Sequence, residues 1–119
     1  MITLTQPNLS TRIDELEAFY QFEQKNEVLE FLKENREIIS ILSEGHDRIR
    51  NYFPNNDLIL EYHVDPEIPD YQQLFLKIVT EGKSDEEIDR SLEIEKQLSY
   101  DWYLNLSAKV REIFCVSVE

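Results

Sequence analysis

The stretch LILEYHVD, residues 58–65, decides the fold. Apolar side chains occupy every second position from Leu58 to Val64, and the positions between them become polar towards the carboxyl end. Alternation with a period of two is typical of a β-strand that buries one face. The run from Leu74 to Val79 alternates in the same way, and Pro66 and Pro69 mark a loop between the two runs. The sequence therefore predicts an antiparallel β-hairpin.

The register of this hairpin follows from the pairing of its faces. The expected cross-strand pairs are Val64–Leu74, Tyr62–Leu76, Leu60–Ile78, Glu61–Lys77 and Ile59–Val79. The last two pairs lie on the outer side, and each favours this register by about 0.2–1 kcal/mol. A slip by one residue would turn every side chain to the wrong face.

The sequence before Pro54 has the longer period of an α-helix. Apolar residues recur at helical spacing in three segments, which begin near Thr11, Gln24 and Glu34. Gly45 lies inside the third segment, where a glycine costs about 1 kcal/mol relative to alanine. Pro54 and the two asparagines after it end the helical half.

The residues beyond the hairpin predict one more helix and one more strand. Ser84 and Glu87 have the spacing of a capping box, and acidic residues fill the first turn after Ser84. The run Ile113–Val118 is rich in β-branched side chains, which favour a strand.

The resulting order, ααα-ββ-α-β, predicts an α+β fold. We expect N-terminal helices followed by a three-stranded, mainly antiparallel sheet with helices on one face. The last strand follows a helical crossover, so it should run parallel to the second strand, and we expect it beside the first, in the order 2-1-3. We expect residues 1–119 to form a single domain, with residues 1–10 as a flexible N-terminal arm.

Composition and charge exclude several classes of function. The chain has 119 residues with 12 Lys+Arg and 25 Asp+Glu, a formal net charge of −13. Such an acidic chain repels phosphate backbones, so we expect no direct nucleic-acid binding. Two glycines leave no phosphate-binding loop, and the single Cys115 leaves no disulfide or multi-cysteine zinc site. With no leader and no long apolar run, we expect a cytoplasmic protein without membrane contact or cofactor.

One cluster has the residue types of a metal site. Glu61, His63 and Asp65 alternate along the first hairpin strand, so they share a face with about 6.5–7 Å between neighbours. Carboxylate and imidazole groups together can bind a divalent ion. The alternative is a solvent-facing row that leads into an acidic loop, because three ligands in a straight row fit one ion poorly. No motif of a catalytic nucleophile is present, so the sequence predicts a protein that is not an enzyme.

Apolar residues outside the expected core favour a binding surface. Ile59, Phe75 and Val79 lie on the outer side of the predicted hairpin, and a small sheet with two apolar faces is typical of a partner interface or a dimer. Trp102 and Tyr103 follow the last predicted helix, where they form either a lid on the core or a binding edge. All five are candidate partner-binding residues.

The chain resembles a small family of acidic bacterial proteins over roughly residues 28–118. The resemblance rests on the helix end Ile49–Pro54, the turn Asp65–Glu67 after a strand, and a later helix that ends at Trp102. Tyr103 stands where the family has a second tryptophan. The family has no established activity, so the resemblance implies no site residue. Small acidic proteins of this kind are sometimes encoded beside a partner, as in toxin–antitoxin pairs.

The sequence therefore predicts a non-enzymatic, antitoxin-like interaction protein that binds a protein partner or forms a homodimer. An alternative is an acidic mimic of nucleic acid that covers the basic surface of another protein, which requires the carboxylates of residues 57–101 to share one face. A third hypothesis is a metal-dependent hydrolase at Glu61, His63 and Asp65.

Overall fold

The protein has an α+β fold with a four-stranded mixed sheet. The computed structural model describes residues 9–80 and 84–119. Along the chain the elements are α1 (Leu9–Phe19), β1 (Gln21–Glu23), α2 (Lys25–Glu34), α3 (Arg36–Tyr52), β2 (Asp57–Val64), β3 (Gln72–Val79), α4 (Asp85–Asp101), a 3₁₀ turn (Tyr103–Asn105), α5 (Ala108–Ile113) and β4 (Phe114–Val118). The strands lie side by side in the order β1-β2-β3-β4. The predicted α+β class is confirmed.

The sheet has one strand more than the sequence predicts. β1 contains only Gln21, Phe22 and Glu23, and it pairs in parallel with β2. Three residues between two helices are too few for an alternating pattern to be recognised. The expected three-stranded, mainly antiparallel sheet is not confirmed, because two of the three strand pairs are parallel.

The last strand has the expected direction and a different neighbour. β4 runs parallel to β3, as a helical crossover predicts. The sequence predicts this strand beside the first hairpin strand, which is β2, whereas the structure places it beside β3. The difference arises because β1 already covers the other edge of β2, so the described sheet can grow only next to β3.

The hairpin register differs from the expected one by two residues. Val64 lies opposite Gln72 rather than Leu74. The loop is closed earlier than expected, because the Asp65 N–H donates to the Tyr71 carbonyl at 3.3 Å. A displacement of two residues preserves the period of the strand, so each side chain stays on the face that the sequence predicts.

The helices pack on the inner face of this sheet around one hydrophobic cluster. Leu60 of β2 and Leu76 of β3 are completely buried, and they share the cluster with Phe31 of α2, Ile39 of α3 and Leu98 of α4. Burial of apolar area from both layers is the main source of stability for such a two-layer arrangement.

Gly45 of α3 lies against the ring of Trp102, which follows α4. A β-carbon built on Gly45 would be only 2.1 Å from Cζ2 of Trp102. Trp102 is 6% exposed, and its ring meets Phe114 edge-on with the ring centroids 6.2 Å apart. Glycine at this position therefore lowers the stability of the helix, but it leaves room for the indole ring of Trp102.

Several predicted boundaries are confirmed. The Ser84 side chain accepts a hydrogen bond from the Glu87 N–H at 3.2 Å, which is the predicted N-terminal cap of α4. α3 ends at Tyr52, and the residue before Pro54 is no longer helical, as the ring of proline requires. Of the predicted arm 1–10, residues 1–8 lie outside the described residues, and α1 begins at Leu9.

Candidate interaction surface on the outer face of the sheet

The outer face of the sheet consists of the side chains that point away from the hydrophobic cluster. Its described members are Gln21 and Glu23 of β1, Asp57, Ile59, Glu61 and His63 of β2, Gln73, Phe75, Lys77 and Val79 of β3, and Cys115 and Ser117 of β4. None of them belongs to the core or to the partly buried residues packed against it. The structure therefore brings the predicted Ile59, Phe75 and Val79 together on one face, where each is half-buried.

The end of the outer face nearest the hairpin loop is aromatic and held in place. The rings of His63 and Phe75 stack with their centroids 5.0 Å apart and an interplanar angle of 15°. Beside them, Gln73 Nε2 donates to the Glu112 carbonyl at 3.2 Å, and the Tyr71 hydroxyl donates to the same oxygen at 2.5 Å. These hydrogen bonds tie the loop end of β3 to α5.

The middle of the outer face carries an excess of negative charge. Lys77 forms an ion pair with Glu61 and a second one with Glu119 at 3.7 Å. The hydrogen bond to Glu61, with the charges of Glu119, Glu61 and Glu23, raises the pKa of Lys77 above its ordinary value. Glu61 and Glu119 pair with Lys77, and Glu23 lies two strands away on the same face, so three carboxylates accompany one ammonium group there.

The opposite end of the outer face is aliphatic. Ile59 lies opposite Lys77, and Val79 lies opposite Asp57, so the predicted direct pair of Ile59 with Val79 becomes a diagonal one. Diagonal neighbours across an antiparallel pair remain within reach of each other. The outer face therefore has an aromatic end, an acidic centre and an aliphatic end that also carries the exposed Asp57.

The structure does not assemble the predicted metal site. Glu61 is paired with Lys77, His63 is stacked on Phe75, and Asp65 Oδ1 accepts a hydrogen bond from the Glu67 backbone at 2.8 Å. Within residues 9–80 and 84–119, no three His, Cys, Asp or Glu side chains lie close enough together to hold a metal ion. Glu61 and His63 share the outer face of β2 as the alternation predicts, whereas Asp65 follows the end of that strand and belongs to the loop.

Trp102 lies on the inner side of the sheet, whereas Tyr103 covers the β4 edge, where its hydroxyl reaches Cys115 of the outer face. Trp102 is in the core, so of the two predicted roles, a lid on the core or a binding edge, it has the first. Tyr103 is half-buried, and its hydroxyl donates to the Phe114 carbonyl at 2.7 Å. Burial raises the pKa of Tyr103, so the hydroxyl keeps its proton for this hydrogen bond. Trp102 therefore does not add to the outer face, and Tyr103 borders it only through its hydroxyl group.

The exposed edge of the sheet at β4 is partly closed by side chains. The Glu119 N–H donates to Ile78 of β3 and its carbonyl accepts from Thr80, which follows β3, so the alternate residues Val118 and Phe114 direct their backbone groups outwards. The Phe114 carbonyl is taken by Tyr103, and the Val118 N–H donates to the carboxylate of Glu95. A covered edge disfavours the addition of a partner strand, so the face of the sheet is the better docking surface.

Cys115 offers no reactive thiolate on this surface. It is half-buried, and Gln73 Nε2 donates to its sulfur at 3.8 Å. Burial raises the pKa of the Cys115 thiol, which keeps it protonated near neutral pH. The thiol therefore behaves as a small apolar group beside Phe75.

Sequence reasoning missed two acidic members of this surface. Glu23 belongs to β1, the strand that no pattern revealed. Glu119 directly follows β4, and the alternation from Cys115 through Ser117 was the signal that places it on the outer side.

Comparison with known proteins gives no assignment. No protein-family model matches the chain, and searches of the curated proteins and of the solved structures find no match. The resemblance to a family of acidic bacterial proteins stays a prediction. Among the described helices, none has the length and apolarity to cross a membrane.

Proposed function

We propose that this protein is a non-enzymatic interaction module that binds a basic protein partner on the outer face of its sheet. The observation that carries the proposal is the combination of an aromatic end, an aliphatic end and an acidic centre on that face. An antitoxin-like role, in which the acidic chain covers a functional surface of its partner, is the form of interaction that we favour.

The apolar ends supply the driving force for docking. The side chains at both ends lie outside the core and are half-buried: Ile59 and Val79 at one end, Phe75 and His63 at the other. Their remaining apolar surface is removed from water only when a partner covers it. Each square ångström of apolar area removed from water contributes about 25 cal/mol. Aromatic side chains such as Phe75 are also enriched in protein interfaces.

The charge of the outer face selects the kind of partner. Lys77 is already neutralised by Glu61, so Glu119 and Glu23 present negative charge to an incoming surface. Arginine or lysine side chains of a partner would compensate these carboxylates and increase the rate of encounter. A second copy of this chain would bring the same excess of carboxylates to the contact, which disfavours self-association through this face.

The acidic-mimic alternative draws on a separate feature, the exposed acids of α4. Asp85, Asp89 and Glu93 are all exposed and follow one another at intervals of four residues, so they share one side of the helix. Four residues advance about 6 Å along a helix, so these carboxylates form a regular row of negative charge. Such a row could occupy a site that a partner normally offers to phosphates.

Photo-cross-linking from the outer face tests the proposal. Phe75 is replaced by benzoylphenylalanine, which keeps an aromatic group at the site, and the variant is irradiated in cells of the source organism. Tyr100, which is 62% exposed on α4, carries the same photoreactive group in the matched control. We expect an adduct with one protein of basic surface at Phe75 and none of that adduct at Tyr100.

Three outcomes contradict the proposal. An adduct of twice the mass of the chain would make the outer face a homodimer interface, and an acidic partner would remove the charge argument. Equal labelling at both positions would mean that the outer face is no docking site. If the adduct forms only from α4 and double-stranded DNA competes with it, the mimic replaces the proposed mode of binding.

A further inference from the structure

We propose that the groove between α1 and α2 is a self-association surface, which binds the same groove of a second copy of this chain. This inference stands independently of the proposed function, because the groove and the outer face share no residue. The occupant is chosen by the arrangement of charge along the two rims of the groove.

The floor of the groove is apolar and open. Leu9 and Ile13 of α1 lie one helical turn apart, and they face Leu29 of α2 across a space of about 490 Å³. Leu9 and Leu29 are only half-buried, although both pack against the core. An open groove between two helices is a common site for a further helix, and α1 of the second copy is the helix that would complete the burial of these side chains.

The two rims carry opposite charges. α1 contributes Asp14 and Glu17, and α2 contributes Lys25 and Lys33, which flank Leu29 at spacings of four residues on the same side of the helix. Lys25 and Glu17 bridge the groove at 3.4 Å and close one end of it. Asp14 and Lys33 make no ion pair with each other, so an acid and a base remain on opposite rims.

This arrangement is complementary to itself under two-fold symmetry. In a two-fold contact, residue i of one copy meets residue j of the other, and the reverse contact forms at the same time. An acidic rim on α1 and a basic rim on α2 therefore produce two identical contacts, each between Asp14 of one copy and Lys33 of the other. The outer face of the sheet lacks this property because its charges are mostly of one sign.

The large negative charge of the chain does not prevent this association. Charges separated by more than a Debye length, about 8 Å at physiological ionic strength, are largely screened, whereas paired charges at an apolar contact are screened less. The net charge of −13 thus weakens the dimer at low salt, and moderate salt should strengthen it until the rim pairs are themselves screened.

A charge-exchange experiment tests the inference. The mass of the full chain is measured by analytical ultracentrifugation over a range of concentrations, for the wild type, Asp14→Lys, Lys33→Glu and the double variant. Glu15→Lys and Lys109→Glu change the formal charge equally at exposed positions that do not line the groove. We expect a wild-type dimer, at least tenfold weaker dimerisation in each single variant, and recovery to within about threefold in the double variant.

Each alternative occupant has its own signature. A wild type that is monomeric at millimolar concentration overturns the inference. If the protein is a monomer and deletion of residues 1–8 shifts the amide resonance of Leu29, the groove binds the N-terminal segment of the same chain. A dimer that the control variants weaken as much as the rim variants, or that the double variant does not restore, is formed by another surface. Failure of Phe75 cross-linking with a normal dimer would affect only the proposed function.

Discussion

Replacement of Gly45 by alanine should destabilise this protein, although the same change stabilises most helices. A β-carbon at Gly45 would lie 2.1 Å from Cζ2 of Trp102 and 2.7 Å from two further ring atoms. Carbon atoms in ordinary contact are about 3.5–4.0 Å apart, so the indole ring would have to retreat by about 1.4–1.9 Å. The ring is 6% exposed and Phe114 lies behind it, so little room is available for this movement.

The expected magnitude follows from two opposing effects. Alanine gains about 1 kcal/mol over glycine in a helix interior. Overpacking of a filled core costs about 1–3 kcal/mol, and displacement of a buried ring belongs at the upper end of that range. Gly45→Ala should therefore lower the free energy of unfolding by about 2 kcal/mol.

A double-mutant cycle separates the two effects. In a Trp102→Leu background the ring is absent, and Gly45→Ala should instead stabilise the protein by about 1 kcal/mol, which gives a coupling energy of about 3 kcal/mol. Urea unfolding followed by far-ultraviolet circular dichroism measures all four proteins, because the Leu variant retains no tryptophan. Glu44→Ala on the same helix is the control and should change stability by less than about 0.5 kcal/mol. A higher urea midpoint for Gly45→Ala in the wild-type background would refute the packing argument.

Two titratable groups give further predictions, both measured by urea unfolding as a function of pH. Burial raises the pKa of Glu95 above its ordinary 4.5, so the carboxylate is a cost to the fold once the pH exceeds that value. Glu95→Gln, which can still accept from Val118, should therefore be more stable than the wild type at pH 7 and lose that advantage below about pH 4.5, whereas Glu93→Gln should change little. Burial, assisted by the charge of Arg50, lowers the pKa of His46 below its ordinary 6.5, so the unfolded chain takes up this proton more readily. Stability should be highest above pH 6.5 and fall as the pH drops below it, and a His46→Gln variant with an unchanged pH slope would contradict this assignment.

The sequence predicts which face of the hairpin each side chain occupies better than it predicts which residues pair across the two strands. Alternation over Leu58–Val64 predicts one buried face, and Leu58 and Leu60 are in the core while Tyr62 packs against it. Val64, at the end of the strand, is 38% exposed, so the predicted burial at that position is wrong. The same alternation is unchanged by a shift of two residues, so it cannot distinguish Gln72 from Leu74 as the partner of Val64. The backbone hydrogen bonds of the loop decide that question, and they depend on the three-dimensional path of the chain.

The role of Trp102 was accessible from a different kind of signal. Gly45 is the only glycine inside a described helix, and it interrupts a segment that is otherwise favourable for a helix. A glycine retained in such a place implies the close approach of something large. The chain has a single tryptophan, so the two exceptional residues could have been paired before the structure was known.

The outer face of the sheet, like the hairpin register, was predictable from the sequence only in part. Ile59, Phe75 and Val79 lie on the outer face because side chains alternate between the two faces of a strand. A change of the hairpin register by two residues leaves this alternation unchanged. The charge pattern between them is different, because Lys77 lies between β2 and β4 and meets Glu61 diagonally on one side and Glu119 on the other. The hairpin alone predicts the attraction of Glu61 to Lys77, whereas Glu119 needs β4 beside β3 and Glu23 needs β1, neither of which local sequence indicates. The apolar content of the surface was therefore predictable, whereas the excess negative charge that selects a basic partner follows from the order of the strands.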